Sequence, residues 1–368
     1  MNWTKRFLFI SIGITAPLLV GIIILELIFG SWLREDQWKS AVELNIIRNS
    51  QINYDVENIY GKELLKSIYT RDSNGLRGSC ANPKDISILT IGGSTTDQRY
   101  IPDGMTYQDV LQKLLSNKND RLICVSNAGV DGHSTFGHLA SFQNWFPLIV
   151  DLKPKFFLLY IGINDAGFRF ISNTGFDERY NRNQSKLQNT LKNNSSIYSL
   201  LKSLRNLLHG LSDTRAYAGH SIRVPNADDY VATKMTDGVE AHIKKNTEEF
   251  EKRLKAILLQ VASFGAKPIC VSQPHLFIRE FGSVKKGLKV AFEYEGIIYN
   301  GLDYDTSIKA LNNSMKFLCK ENDGFYLDMS TKDFSGDDFY DAVHLKSIGA
   351  NRLGGYLFDE FINQKIPL

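Results

Sequence analysis

The stretch DISILTIGGSTTDQ, residues 85–98, decides how this chain folds. A largely apolar run over 86–91 leads into Gly92 and Gly93 and then into hydroxyl and acidic side chains. A short apolar run without strict alternation is typical of a strand that is covered on both faces, as in a parallel sheet. Ser94, which follows the glycines, has two interpretations: it caps the next helix, or it is a nucleophile at the mouth of a sheet.

Four further segments share this texture of a short apolar run followed by small or polar residues. They are RLICVSNAG (121–129), KFFLLYIGIND (155–165), AKPICVSQP (266–274) and GFYLDMS (324–330). Helical patterns such as YQDVLQKLL (107–115) and the long segment 239–266 fall between them. The alternation predicts an α/β domain with a parallel sheet of about five strands, whose following loops share one ligand-binding edge.

The N-terminal segment is strongly apolar. Nineteen residues from Phe7 to Leu25 carry no charge, and the apolar stretch continues past Glu26 to Phe29. At about 1.5 Å per residue, this length covers the roughly 30 Å of a hydrocarbon core. We therefore expect a membrane anchor over residues 1–30, with a transmembrane helix at about 7–29. A cleaved signal peptide and a buried soluble helix are the alternatives.

Basic residues flank this segment on both sides and orient it only weakly: Lys5 and Arg6 precede it, and Arg34 and Lys39 follow it. We expect the N-terminus inside, which makes the chain a single-pass membrane protein whose globular part lies outside the cytoplasm.

The rest of the chain divides into a connector and one large domain. Residues 31–84 form the connector, and its segment SIYTRDSNGLRG (67–78) predicts a hairpin with a turn at Asn74-Gly75. Residues 85–368 form the α/β domain. A segment at about 168–238, rich in Asn, Ser and Lys, interrupts it and is expected to act as a lid over the strand edge.

Composition excludes several classes of function. The net charge of +3 is spread without long basic runs, so no nucleic-acid partner is expected. Cys124 and Cys270 lie in apolar strand patterns, while Cys80 and Cys319 are isolated. An even count permits a bridge outside the cytoplasm, but the spacing suggests no disulfide framework. No cluster has metal-ligand spacing, so we expect neither a metal nor a cofactor.

Several polar residues follow the predicted strands or lie near the C-terminus. Asp341 and His344 are three residues apart, so a carboxylate can orient an imidazole; an exposed charged pair is the alternative. Asn164 can donate to an oxyanion or simply form a turn. Gly129 can present a bare backbone N–H, or belong to an ordinary loop.

Two histidines in the same loops are candidates for contact with a substrate. His133 follows the second strand and His275 follows the fourth. Loops at this edge commonly carry function, but both residues are equally compatible with a surface position.

Together these blocks resemble the SGNH hydrolase family, also called the GDSL family, of serine esterases and acyltransferases. Its Gly-Asp-Ser-Leu block is matched by 92–95, where Gly93 replaces Asp and Thr95 replaces Leu. The later blocks are matched by 127–132, 162–165 and 341–344. The resemblance covers about residues 85–165 and 240–365.

The resemblance implies a three-layer α/β/α, flavodoxin-like fold and a catalytic triad. Ser94 would be the nucleophile, His344 the base and Asp341 its partner. The backbone N–H groups of Ser94 and Gly129 and the side chain of Asn164 would form the oxyanion hole.

The expected protein is a membrane-anchored serine esterase that hydrolyses O-acyl esters, with acetyl as the expected group, of a carbohydrate or lipid. One alternative is an O-acyltransferase that modifies a glycan or cell-envelope polysaccharide through the same acyl-enzyme. A second alternative is a non-catalytic protein that binds glycan or acts as a scaffold.

Overall fold

The structure is a computed structural model that describes residues 3–30, 44–168 and 222–368, together with residues 32, 38, 195–198, 200, 201, 204, 214 and 215. Most of the segment predicted to be a lid, 168–238, lies outside these residues, so its capping role stays a prediction.

The α-helices alternate with strands along most of the chain. They are α1 (Trp3–Phe29), α2 (Glu57–Tyr60), α3 (Ser94–Asp97), α4 (Tyr107–Asn119), α5 (Thr135–Asn144), α6 (Val239–Ser263), α7 (Gly301–Glu321) and α8 (Ser347–Asn363). Short 3₁₀ turns lie at Gly61–Glu63, Pro83–Asp85, Phe146–Leu148, Ala227–Asp229 and Gly336–Asp338.

Within the described residues, the strands form one central sheet and three small ones. They are β1 (Ser50–Asp55), β2 (Lys66–Arg71), β3 (Ile86–Gly92), β4 (Cys124–Asn127), β5 (Phe156–Tyr160), β6 (Thr214–Arg215), β7 (Tyr230–Ala232), β8 (Lys267–Val271), β9 (Ile278–Phe281), β10 (Val284–Leu288), β11 (Phe292–Tyr294), β12 (Ile297–Tyr299) and β13 (Phe325–Leu327).

The central sheet has the order β4-β3-β5-β8-β13, and every neighbouring pair in it is parallel. Counted along the chain this is the flavodoxin-like order 2-1-3-4-5. The predicted parallel sheet of five strands is therefore confirmed. All five strands lie within the apolar segments that the sequence indicated.

Helices cover the sheet on both faces. Along β3, Leu89 and Ile91 point to a core shared with α5, α6 and α7, whereas Ile88 points to a second core shared with α4 and α8. Successive side chains of a strand point to opposite faces, so a strand between two helical layers must be apolar at nearly every position. This is why these strands appear as continuous apolar runs.

The connector does not form the hairpin that was predicted. A turn is present at Asn74-Gly75, where Asp72 N–H donates to Leu76 O at 2.9 Å. However, β2 before the turn pairs with the upstream strand β1, and Arg77 after the turn bridges to Asn127 beside the central sheet. The turn can be predicted from its own residues, but the segments on either side of it pair with parts of the chain that lie elsewhere in the sequence.

A second set of strands, on either side of β8 in the sequence, was not predicted. The strands β7, β10 and β9 form a three-stranded sheet, and β11 pairs with β12. These strands are short and partly exposed, so they lack the apolar run that marks the central strands.

At the N-terminus, α1 covers the segment where a transmembrane helix was expected. Over the part of the chain that the structure describes, no helix is sufficiently long and apolar to cross a membrane.

The cysteines are paired, which corrects the expectation that the spacing indicates no disulfides. Cys80 bonds to Cys124 and Cys270 bonds to Cys319, with Cα–Cα distances of 5.8 and 6.3 Å. The partners are 44 and 49 residues apart in sequence, and they meet only because the connector lies beside β4 and α7 packs behind β8.

A buried ion pair joins the connector to the turn after β3. The Arg71 guanidinium contacts the Asp97 carboxylate, and both side chains are at most 3% exposed. Tyr69 O–H donates to the same carboxylate at 2.7 Å, and Arg99 donates to its other oxygen at 2.9 Å. Burial raises the pKa of Asp97, but Arg71 and Arg99 outweigh this and lower it to about 2.

Arg71 also donates to backbone carbonyls of two other segments. Its guanidinium lies 3.0 Å from Gly75 O in the connector turn, 3.0 Å from the O of Asn127, the last residue of β4, and 2.6 Å from Gly129 O in the loop that follows β4. One side chain therefore fixes the connector, the turn after β3 and the loop after β4 relative to one another.

We predict that Arg71→Met lowers the free energy of unfolding by about 3 kcal/mol or more, because it removes one partner of a buried ion pair together with the hydrogen bonds to three carbonyls. Urea denaturation gives the measurement. Arg223→Met is the matched control: Arg223 pairs with Asp229 but its side chain is 58% exposed, so the loss should stay below about 1 kcal/mol. Equal losses in the two variants would contradict a special role for Arg71.

Candidate active site

Ser94, His344 and Asp341 lie in line at the carboxyl edge of the central sheet. Ser94 opens α3 directly after β3, and the other two residues occupy the loop before α8. Ser94 Oγ is 2.7 Å from His344 Nε2, and His344 Nδ1 is 2.7 Å from Asp341 Oδ2. The fold thus brings together a hydroxyl and an imidazole that are 250 residues apart in sequence.

Asp341 is held by its own loop. Its Oδ1 accepts the backbone N–H groups of Val343 and His344, both at 2.8 Å. Burial raises its pKa, but the hydrogen bond and charge of His344 and the two N–H groups outweigh this and lower it overall. A charged carboxylate can only accept, so His344 carries its proton on Nδ1. The lone pair of Nε2 is left to accept the Ser94 hydroxyl proton.

Asn164 lies next to Ser94 at the end of β5. Its Nδ2 donates one hydrogen to His133 O at 2.8 Å, which leaves the second hydrogen of the amide for another acceptor. Ser94 and Asn164 line the same cleft. Among the described residues, the Ser94 N–H has no protein acceptor within hydrogen-bonding distance. Gly93 lies beside both donors: Ser94 follows it in the chain, and the Asn164 amide packs against its Cα while bonded to His133 O.

Gly129 is not where the sequence placed it. Its N–H donates to Asn127 Oδ1 at 2.8 Å, and its Cα packs against the backbone of Thr96 and Asp97, behind the serine. The cleft is lined by Gly132 instead. The Asp131-Gly132 pair is a turn signal in the sequence, and Gly132 has a φ of +77°, so this position was the better candidate for a loop residue at the cleft.

The two histidines proposed to contact substrate are buried away from the cleft. His133 Nε2 is bonded to Leu44 O at 2.9 Å, and burial lowers the pKa of this histidine to about 4. His275 Nδ1 accepts the Phe277 N–H at 3.2 Å, and burial likewise lowers its pKa to about 4. Neither imidazole lines the cleft, although Gly132 and Phe277 of the same two loops do.

A cleft of about 930 Å³ opens in front of Ser94. Its polar side includes Arg99, Asp131, Tyr100 and Tyr340, and its apolar side is formed by Ile163, Phe277, Leu288, Val290 and Phe292. Most of the apolar side comes from the segment 277–292, which contains short strands and the loops between them. Sequence reasoning missed these residues because the segments that carry them have no strong pattern.

No set of three or more metal-ligating side chains converges within the described ranges 3–30, 44–168 and 222–368.

No protein-family model and no curated protein matches the chain. Solved structures do resemble it. An alpha/beta hydrolase from the metagenome of Lake Arreo, Spain, is 15% identical over 74% of this chain and 93% of its own, with a TM-score of 0.40. An acetyl xylan esterase is 14% identical over 75% and 99% of the two chains, with a TM-score of 0.40.

A catalytic mutant of an acetylxylan esterase from Geobacillus stearothermophilus is 13% identical over 76% of this chain and 94% of its own, with a TM-score of 0.41. With TM-scores this low, the chemistry of the chain rests on the residues of its own site.

We predict that Gly93→Ala destabilises the protein by about 1–3 kcal/mol, because a Cβ there would lie 2.7 Å from Asn164 Nδ2 and 2.9 Å from His133 O. Chemical denaturation followed by circular dichroism measures the effect. In the control Gly355→Ala, the added Cβ on α8 meets no atom within 4 Å, so stability should rise by up to about 1 kcal/mol. A neutral Gly93→Ala would show that the close packing around Asn164 is not required.

Proposed function

We propose that this protein is a serine esterase that hydrolyses O-acyl esters of a carbohydrate or lipid. The observation that carries the proposal is the unbroken line from Ser94 Oγ through His344 to Asp341, with both hydrogen bonds at 2.7 Å. A serine hydroxyl bonded to an imidazole, which a carboxylate orients in turn, is the arrangement that activates a nucleophile.

The reaction begins when Ser94 Oγ attacks the ester carbonyl and His344 Nε2 takes its proton. Negative charge then develops on the carbonyl oxygen, where the Ser94 N–H and the second hydrogen of Asn164 Nδ2 can stabilise it. His344 returns the proton to the leaving alkoxide, which departs as the alcohol and leaves an acyl-enzyme. Water, deprotonated by His344, releases the acid and restores the serine.

The cleft supports a substrate larger than a small ester. An acetyl group fills only a fraction of about 930 Å³, so the alcohol portion would occupy most of the space. Arg99, Asp131 and Tyr100 on the polar side suit the hydroxyl groups of a sugar or a lipid headgroup, and the apolar side suits a hydrocarbon surface.

We predict that Ser94→Ala abolishes hydrolysis of a chromogenic acetyl ester and labelling by a fluorophosphonate probe. Asn164→Ala should lower kcat by about 100- to 1,000-fold, because it removes an oxyanion donor. Ser263→Ala is the control, since Ser263 ends α6 on the exposed surface away from the cleft; it should label like the wild type.

Three results would redirect the proposal. Labelling that persists in Ser94→Ala would exclude Ser94 as the nucleophile. Turnover equal to background in the wild type would favour a binding or scaffold protein. If an added glycan takes up the acyl group in place of water, the same acyl-enzyme serves an O-acyltransferase.

We also propose that α1 attaches the protein to a membrane and that the active site faces away from the cytoplasm. Large apolar side chains of this helix are exposed, among them Leu18 at 61% and Phe29 at 70%. Such a surface is unfavourable in water and favourable in lipid. The pairs Cys80–Cys124 and Cys270–Cys319 are the kind of bond that persists in oxidising compartments.

We predict that the wild-type chain sediments with membranes and that a double substitution, Ile23→Glu with Ile24→Glu, moves it to the soluble fraction. Ile298→Glu, which alters an exposed isoleucine of β12, should leave the distribution unchanged. Protease added to intact cells should digest the globular part. A soluble wild type would refute attachment, protection from protease would refute the orientation, and extraction by carbonate would indicate binding at the surface.

A further inference from the structure

Tyr340 stacks directly on the imidazole of His344. The two ring centroids are 5.3 Å apart and the planes differ by only 5°. The Tyr340 N–H donates to His344 O at 3.0 Å, so the backbone clamps the two residues together. Ser94 and Asp341 occupy the two ring nitrogens of the imidazole, and Tyr340 covers one face.

Two further tyrosines pack in series next to Tyr340: Tyr100 contacts its ring, and Tyr54 contacts Tyr100. Tyr100, in the loop after α3, meets its ring at 6.0 Å and 65°, and Tyr54 of β1 meets Tyr100 at 5.2 Å and 88°. We call Tyr54, Tyr100 and Tyr340 the tyrosine column. Its members come from three separate segments, and their edge-to-face contacts restrict each ring to one orientation.

Hydrogen bonds of Tyr60, a residue of the connector, also hold this arrangement in place. Tyr60 O–H donates to Tyr100 O at 3.3 Å, and the Ser347 N–H at the start of α8 donates to the Tyr60 hydroxyl oxygen at 3.2 Å. The loop that carries His344 is therefore tied to the connector immediately beyond its C-terminal end.

We propose that Tyr340 is a positioning residue that holds the His344 imidazole in line with Ser94 and stabilises the imidazolium formed when the serine proton is transferred. The inference rests on the proposed function, in which His344 is the general base. An aromatic face attracts a cation placed over it, and the attraction is larger when water is excluded.

The ionisable groups around the stack are few. Asp341 lies on the same loop, Asp131 and Arg99 line the cleft in front, and Tyr100 and Tyr60 lie behind. Burial, followed by the charge of Asp341, raises the pKa of Tyr340 far above its usual range, so the phenol stays neutral. Its effect on the imidazolium comes from the face of the ring, and a phenylalanine should replace it.

The decisive variants are Tyr340→Phe, which keeps the ring, and Tyr340→Leu, which keeps an apolar cover but removes the π-face. In the full chain in detergent, Tyr340→Phe should keep kcat within about twofold, whereas Tyr340→Leu should lower it about tenfold. The acid limb of the pH profile of kcat/KM should move to lower pH in Tyr340→Leu, because the imidazolium has lost stabilisation.

A second measurement needs no substrate. The imidazole of His344 is titrated by NMR of ¹³C-labelled histidine, with His344→Gln to assign the signal. Tyr340→Leu should lower the midpoint, and Tyr340→Phe should not. The matched control is Tyr356→Leu, since Tyr356 lies on α8 with its O–H bonded to Asp333 O, outside the cleft; this variant should match the wild type in both measurements.

The outcomes separate the two proposals. If the wild type does not turn over any ester but the His344 midpoint still falls in Tyr340→Leu, the esterase proposal fails and the positioning role stands. If Tyr340→Leu loses activity with an unchanged midpoint and pH profile, Tyr340 is only structural and the inference is overturned. Wild-type kcat in Tyr340→Leu would overturn it as well.

Discussion

The ion pair between Arg71 and Asp97 is the constraint on which the site depends. Asp97 ends the short helix that Ser94 begins, so any shift of its carboxylate moves the serine. Placing both charges in the interior is costly unless every donor and acceptor has a partner, and Arg71 meets that condition with carbonyls from two other segments. The connector is thereby part of the framework of the candidate site, although its sequence predicted only a link to the N-terminus with a hairpin.

The central sheet could be predicted because its strands have a local signature. Each strand lies between two helical layers and must therefore be apolar at nearly every position. This requirement produces a short run of consecutive apolar residues, as in 156–160, which can be recognised in the sequence. The strands over 278–299 have no such requirement, since they are short and partly exposed. The turn at Asn74-Gly75 was predicted at the right position. The partners of the segments on either side of it were not predicted, because strand pairing depends on residues that are far apart in sequence.

The residues of the site divide in the same way, into those that local sequence predicts and those whose positions depend on distant contacts. Ser94, Asp341 and His344 were proposed from residue type and spacing, and the structure brings their reactive atoms together. Gly129 and the two buried histidines were assigned from their positions after strands, which specify an edge of the sheet but not the direction in which a loop turns. That direction depends on contacts such as the one between His133 and Leu44, which are 89 residues apart in sequence.

The long separation between Ser94 and His344 has a consequence for biosynthesis. Ser94 follows β3, the strand of the central sheet that comes first along the chain, whereas the His344 imidazole lies in the loop before α8. A nascent chain therefore carries Ser94 without its hydrogen-bonding partner until residue 344 has been synthesised and has left the ribosome. A truncated product that lacks α8 and its preceding loop has no imidazole beside Ser94, and under the proposed mechanism its serine hydroxyl would not be activated.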